Sequence, residues 1–462
     1  MLAAIVNTFK NCFRIPELKS RILFTLLLLA VCRLTAYIHC PGLDGNELAA
    51  FFKRAAAQDP SGGVIGLYSM FTGGALENCA IGALGIMPYI SATIILQLMT
   101  AVVPHLSKLA REEGGRTKII QYGRYLTVLL CLGQGFVMAL GWEHPNKIFG
   151  EGIGRLVAYS DTWIWWYRIQ TTLILTTGTM LLMWLGEQIT DRGIGNGVSL
   201  VITIGILARL PAAFIALKDM FFPGDGVERI FNLGHGVALL LLLAGVIAGV
   251  FAVTQAQRKV PVQYAQRAVG RKVYSGGTSF MPLRVNYSGV MPIIFAQAIL
   301  MFPQQIFSRL GNLFDLKFFR EIAAALQEGA LLYMLVYAAM ILFFSYFWVA
   351  TQFNELQIAD DLKKNGGYIP GVRPGRATSD FLHGAMHRIT LAGAVFLTVI
   401  AVIPILMNKG MKIPYAVGTF FGGTSILITV GVMLDTMRQV ESHLLMRHYD
   451  GFLKKGRLRG KF

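Results

Sequence analysis

Ten long apolar runs decide most of what this chain can fold into. A bilayer span needs ~20 predominantly apolar residues, and the runs at 22–38, 81–99, 121–141, 168–186, 197–217, 236–256, 289–307, 330–350, 389–407 and 417–435 come close to or reach that length. At such lengths a single segment can satisfy its backbone inside lipid only as a helix. Composition agrees: 54% of the 462 residues are hydrophobic and 15% charged, against roughly 25% charged in soluble domains, and the mean hydropathy is +0.55. The expectation is an all-α membrane protein of about ten transmembrane helices.

The first run follows Lys10, Arg14, Lys19 and Arg21, the layout of a signal peptide. The flank "RLTAYIHCPG" has no clear small-x-small cleavage site, and nine further runs make the first a span to be kept. The formal charge of +17 could suggest a nucleic-acid binder, but its distribution points elsewhere. Segments 1–21, 104–124, 187–196, 257–288, 351–388 and 436–462 hold 28 Lys and Arg, while the alternate loops 39–63, 142–167, 218–235, 308–329 and 408–416 hold 11. Such an excess marks the cytoplasmic side, which puts both termini in the cytoplasm and makes the span count even.

Two of the runs carry the same sentence. "GIMPYISATI" at 85–94 and "GVMPIIFAQA" at 289–298 align Gly85 with Gly289, Met87 with Met291, Pro88 with Pro292, Ile90 with Ile294 and Ala92 with Ala296. They lie 204 residues apart, each the second run of a five-run half. An odd number of crossings per half inverts the second copy relative to the first, and paired Gly/Pro-interrupted segments in inverted halves point to a central pathway. The expected organisation is a cytoplasmic segment 1–21, an N-terminal half 22–217, a C-terminal half 218–435 and a cytoplasmic tail 436–462. Proline lacks an amide and restricts the residue before it, so Pro88 and Pro292 are expected near a helix start or kink, facing a cavity.

Between the first two runs, residues 64–72 are apolar but far too short to span, and they end at Gly73 and Gly74. A small helix dipping in from the outer side is one reading; an interfacial helix is the other. Two cytoplasmic loops are long and polar. Residues 257–288 contain Arg258, Lys259, Arg267, Arg271, Lys272 and Arg284 with no acidic residue, and 351–388 contains "NGGYIPGVRPGRAT", a Pro/Gly-shaped tip bearing Arg373 and Arg376. Fixing topology does not need a shaped tip, so both loops are expected to dock a partner: acidic protein, RNA phosphate or anionic lipid.

An ion-coupled transporter would place Asp, Glu or His near the midplane. Arg33 sits toward the outer end of its span, where it can snorkel, Glu187 and Asp191 fall in the turn after the fourth run, and Gln97 and Gln297 are uncharged. His383 and His387 have the spacing of a helical metal pair without further ligands in order. "RGIGNGV" at 192–198 has no strand before it and no Lys-Ser/Thr after it, so a tight turn is expected rather than a phosphate cradle. No catalytic residue, metal site or cofactor is expected. The five cysteines, Cys12, Cys32, Cys40, Cys79 and Cys131, read as small buried apolar residues, with a Cys40–Cys79 disulfide left open.

The motifs "MFTGGAL", "ALGIMPYISATII", "MWLGEQITDRGIGNGVS", "VPVQYAQR", "GVMPIIFAQAI", "YIPGVRPGRAT" and "FGGTSILITVGVMLDT" resemble those of the SecY/Sec61 alpha family of protein-conducting channels, over about 430 residues from the first span to the tail. The resemblance implies two inverted five-helix halves around a central hourglass pore. A short plug helix at about 64–76 (Met70, Phe71, Gly73, Gly74) would block its outer funnel. Runs 81–99 and 289–307, with Pro88, Gln97, Pro292 and Gln297, would form a lateral gate to lipid. The family's pore ring falls on Ile86, Ile90, Val198, Ile202, Ile294 and Ile428, with Val198 in place of the usual isoleucine. Arg373 matches an arginine that couples to the motor ATPase SecA, and 257–288 resembles a surface used by SecA and ribosomes. Implied partners are SecE and SecG in a heterotrimer, signal peptides, unfolded preproteins and anionic lipids. SecDF and YidC are further partners that the resemblance admits. The implied location is the bacterial inner membrane. "HCPG" at 39–42 and Gly82 depart from the family pattern near the plug. Two other classes compete: a secondary transporter with inverted repeats, which the missing carboxylates disfavour, and an insertase-like scaffold without a continuous pore.

Overall fold

The computed structural model describes residues 15–45, 47–50, 72–112, 114–145, 156–158, 163–222, 233–264, 267–269, 272–274, 277–287, 289–314, 317–327, 329–411, 417 and 424–455. Packing divides the chain into two compact units. One comprises Met1–Ile230, Ile413–Phe420 and Val432–Phe462, the other Phe231–Lys412 and Phe421–Gly431.

The first unit opens with α1 (Pro16–Leu34), whose proline occupies the first turn, where no amide partner is needed. Next come α2 (Met87–Val102) and α3 (Pro104–Arg111), set 103° apart at Val103. That residue precedes a proline, which disfavours the helical region, and it is extended at φ −88°, ψ 114°. Helices α4 (Gly115–Glu143) and α5 (Ile164–Arg192) pack along one another and bury Cys131, Ala139, Trp142, Tyr167 and Leu175. The threonines of α5 return their hydroxyls to the helix itself: Thr172, Thr176 and Thr177 each donate to the carbonyl four residues back. Such bonds let polar side chains sit in an apolar span. The run expected at 197–217 is one span, Gly197–Lys218, in which α6 (Gly197–Leu207) passes through a single loosened turn at Ala208 and Arg209, both still right-handed helical, into α7 (Leu210–Phe221) with Pro211 in its first turn.

The second unit contains α8 (Leu233–Gln255), α9 (Met291–Phe314), α10 (Lys317–Ala325), α11 (Leu331–Gln352), α12 (Glu355–Lys364) and α13 (Arg376–Met411). Helix α14 (Thr424–Lys455) gives its first turns to this unit and the rest to the first. The amphipathic α10 falls in a stretch expected as an outer loop; it lies on α9, with Phe319 stacked on Phe307 at 6.1 Å.

Each of the ten expected runs overlaps a helix. By length and composition, six helical stretches among the described residues suffice to cross a membrane, or seven if the bent α2–α3 pair counts as one span. Helix α1 falls short because Glu17, Lys19 and Arg21 occupy its first turns. Helices α1, α4 and α8 display exposed Leu23, Leu27, Leu129, Leu240 and Leu241, a surface suited to lipid tails. The protein is a multi-pass membrane protein.

The all-α expectation needs one correction. Loop 257–288 is a β-hairpin in which β1 (Gln257–Tyr264) pairs antiparallel with β4 (Thr278–Arg284), and β2 (Arg267–Val269) with β3 (Lys272–Tyr274) keeps the same register. The cause is a period-2 pattern: Val260 and Val262 are buried while Lys259 and Pro261 are exposed. A two-residue strand, β5 (Gly367–Tyr368), joins the free edge of β1 through Gln263 and Tyr264.

Candidate functional site

The two proline sentences adopt one local structure. Gly85 has φ +59° and Gly289 φ +63°, a backbone region that side chains other than glycine disfavour. Helices α2 and α9 then begin at Met87 and Met291, with Pro88 and Pro292 in the first turn, and the amides of Ile90 and Ile294 close it onto the carbonyls of Ile86 and Val290. Both prolines thus start helices rather than kink them. Gln97, one turn before the end of α2, has a buried Oε1 without a hydrogen-bond partner among the described residues. Gln297 on α9 is buried.

The aliphatic residues singled out from the sequence fall on these helices and two others. Within the first unit Ile86 precedes α2, Ile90 lies in its first turn, and Val198 and Ile202 lie on α6. Within the second, Ile294 lies on α9 and Ile428 on the start of α14. Five are buried; Val198 is half-buried, its backbone laid on Gly186 of α5. The turn leading into α6 is held amide by amide. Ile194 N–H donates to Thr25 Oγ1 at 3.1 Å, Gly195 N–H to Gln439 Oε1 at 2.8 Å, Gly197 N–H to Thr190 Oγ1 at 2.9 Å and Ser199 N–H to Asn196 Oδ1 at 3.2 Å. A Cβ on Gly197 would overlap the Gly186 carbonyl oxygen at 1.9 Å. The glycine-rich motif is a turn, as its context suggested. Glu187 and Asp191 belong to the last turns of α5 rather than to that turn, because the helix runs on to Arg192.

Of the short outer segment, Met70 and Phe71 lie outside the described residues, while Gly73 and Gly74 have φ +62° and +88°. Arg33 does not simply point outward: its Nη2 donates to the Gly73 carbonyl at 3.2 Å. Arg209 pairs with Glu77, and Asn78 Nδ2 donates to the Ala36 carbonyl at 3.2 Å. Cys40 and Cys79 are free, buried thiols whose backbones are joined by a 2.9 Å hydrogen bond from Cys40 N–H to Cys79 O. Burial pushes the Cys40 thiol up to about 12 and raises that of Cys79 as well. Gly82 packs on Thr35, whose Oγ1 would lie 3.0 Å from an added Cβ, so a bulkier residue would require movement here.

In the second unit the two basic loops are one platform. Val260, Leu283, Phe353, Ile369, Leu382 and Met386 form a shared core beneath the hairpin and the tip. The tip turns at Gly371 (φ +83°) and Gly375 (φ +102°), is anchored by Ile369 and Val372, and leaves Arg373 exposed, its carbonyl accepting from Thr378 Oγ1 at 2.9 Å. Arg258, Lys259 and Arg284 are exposed on β1 and β4, Arg267 and Lys272 lie on β2 and β3, Arg376 begins α13, and Arg271 lies outside the described residues. His383 Nδ1 meets Glu355 Oε1 at 2.8 Å, and the rings of His383 and His387 are 6.5 Å apart. Among the described residues no group of three or more His, Cys, Asp or Glu could hold a metal.

The SecY family model matches residues 80–437. The chain belongs to the SecY family. The protein translocase subunit SecY of Thermotoga maritima is 40% identical over 457 residues, 98% of this chain and 99% of that protein. The protein of the same name in Escherichia coli K12 is 42% identical over 448 residues, 96% of each. The fold matches a solved protein-conducting channel with a TM-score of 0.61 at 16% identity, over 95% of this chain and 94% of that one. It also matches Sec61 of the canine ribosome–channel complex, at 0.57 and 16% over the same shares. Beyond the motifs this SecY relative shows what sequence reading missed. The Arg209–Glu77 contact joins residues 132 apart, and β5 joins loops about a hundred residues apart. Only the isolated charge of Arg33 in an apolar run gave any warning.

Proposed function

We propose that this SecY-family chain is the channel-forming subunit of a bacterial protein translocase, passing unfolded secretory chains across the inner membrane and releasing apolar segments sideways into lipid. The observation that carries this reading is the repeated glycine-Met-Pro helix start of α2 and α9, which supplies each half with one gate helix headed by aliphatic side chains. Ile86, Ile90, Val198, Ile202, Ile294 and Ile428 form the waist. Branched aliphatic side chains yield around a threading peptide of any sequence, yet leave hydrated ions no polar partner when closed. The segment 64–76 is the resting plug, and Pro88, Gln97, Pro292 and Gln297 belong to the gate.

This chain supplies no work of its own. SecE and SecG clamp it, and SecA or a ribosome docks on the platform of Arg258, Lys259, Arg267, Arg271, Lys272, Arg373 and Arg376. The likeness to Sec61 in a ribosome–channel complex supports the ribosome as a partner. Both termini are cytoplasmic by the Lys/Arg distribution. The test is reconstitution with SecE and SecG in vesicles. Added SecA, ATP and an unfolded preprotein should yield protease-protected substrate, and its absence under conditions where an authentic translocase succeeds would reject the reading.

A further inference from the structure

Two arginines hold residues 73–78 inside the first unit. Arg33, in the last turn of α1, donates from Nη2 to the Gly73 carbonyl at 3.2 Å. Arg209, at the loosened turn between α6 and α7, pairs through Nη2 with Glu77 Oε1. The glycine between them is close-packed: a Cβ on Gly73 would lie 2.3 Å from Arg33 Nη1 and 2.9 Å from Gly205 Cα of α6. Behind this contact is a cavity of about 30 Å³ whose lining includes Arg33, Thr35, Thr72, Gly82, Ile86 and Gly205, a volume that admits a water or two.

We infer that Arg209 and Arg33 are positioning residues that latch the base of the short outer segment, with the Glu77–Arg209 ion pair as the releasable element. This rests on the reading of 64–76 as the resting seal. The physical case is one of strength. The side chains of Arg209 and Glu77 are 30% and 28% exposed, so water screens the pair and its contribution stays modest. A fully buried pair would hold the segment too firmly to open, since parting it strands charge in a medium that cannot solvate it. The single Arg33 bond to the Gly73 carbonyl adds a second, neutral-acceptor anchor beside the ion pair.

The test uses the full chain with its small partner subunits in vesicles and reads two signals, resting potassium release and amide hydrogen exchange at residues 72–80. Glu77→Gln and Arg209→Gln should each raise both rates about three- to fivefold, the scale of a partly exposed ion pair. The charge exchange Glu77→Arg with Arg209→Glu should return both to within about twofold of the parent, and Arg209→Lys should stay close to it. Single variants at the parent rate, or an exchange variant as fast as the singles, would overturn the latch. Deletion of 64–76 separates the two readings. If the deletion leaks while the singles do not, the seal stands and the latch falls. If the deletion is silent, the seal reading falls, and amide exchange alone then decides whether the pair holds the segment.

Discussion

Gly85 and Gly289 share a left-handed backbone, φ +59° and +63°, each two residues before the helix that its proline starts. The pairing gives the internal repeat a structural content. Alanine at either position should cost about 1–2 kcal/mol, the penalty for an L-residue in that region. At Gly85 an added Cβ would also press on Thr72 Cγ2 at 3.3 Å, so the methyl must be accommodated there as well. Thermal unfolding in detergent of the two single variants and the double measures this. The double variant tests coupling: a loss beyond the sum of the singles would show that the two helix starts share partners.

A second prediction concerns the α4–α5 clamp. Arg168 donates Nε to Glu143 Oε2 at 2.8 Å and Nη2 to Oε1 at 2.9 Å, and its guanidinium lies 4.7 Å from the Trp165 ring centroid. The side chains are 18% and 12% exposed. Arg168→Ala leaves the part-buried carboxylate without its fork and should cost about 1.5–3 kcal/mol, the scale of hydrogen bonds to a charged group; Glu143→Gln, which keeps one acceptor and the shape, should cost about 1 kcal/mol. Equal losses would contradict the bidentate account.

Thiol chemistry gives a third. Alkylation proceeds through the thiolate, and burial raises the Cys40 thiol to about 12. In a variant retaining only Cys40 and Cys79, iodoacetamide labelling should be slow at pH 8 and climb about tenfold per pH unit through pH 11, without levelling near pH 9 as an exposed thiol does. The linkage runs the same way. Raised folded values contribute stability that is intact below about pH 9 and lost as pH rises toward 12. Both thiols should label without reductant. A mobility shift on non-reducing gels, abolished by reduction, would show a disulfide instead.

Arg373 gives a fourth. The tip is fixed by two positive-φ glycines and by Ile369 and Val372 beneath it, so a change of charge at the exposed Arg373 should leave the fold intact. Arg373→Glu should reduce SecA-driven export about tenfold, the scale of one lost hydrogen bond to a charged group, while the chain itself still inserts into the membrane, and normal export in vesicles would remove Arg373 from the proposed docking surface. Arg373→Lys should recover little, because a bidentate partner distinguishes the two cations.

Much of the fold was legible because the bilayer leaves few choices. Apolar runs of spanning length must be helices, so helices overlap all ten expected runs among the described residues. Proline and glycine were equally readable: Pro88 and Pro292 start helices, and Gly371 and Gly375 turn the tip. The sheet was not. The hairpin lies in a basic loop whose short alternation, Val260 and Val262 on β1 and Met281 and Leu283 on β4, is interrupted by prolines, and β5 is two residues that gain a partner only after folding. The ion pairs escaped for a related reason. Arg209–Glu77 and Arg168–Glu143 depend on which helix faces which, and a solitary charge near a span end reads as snorkelling until its partner is placed.

In the proposed channel, six aliphatic side chains from separate stretches of sequence line a single waist. The most direct measurement places one cysteine at a time at positions 86, 90, 198, 202, 294 and 428 of an otherwise cysteine-free chain, and asks which of them form a disulfide with a single cysteine carried by a preprotein stalled during translocation. All six should crosslink to the same narrow window of the stalled chain, while a lipid-facing control at Leu240 should not. Crosslinks confined to positions from one unit, or spread over windows that do not overlap, would contradict it.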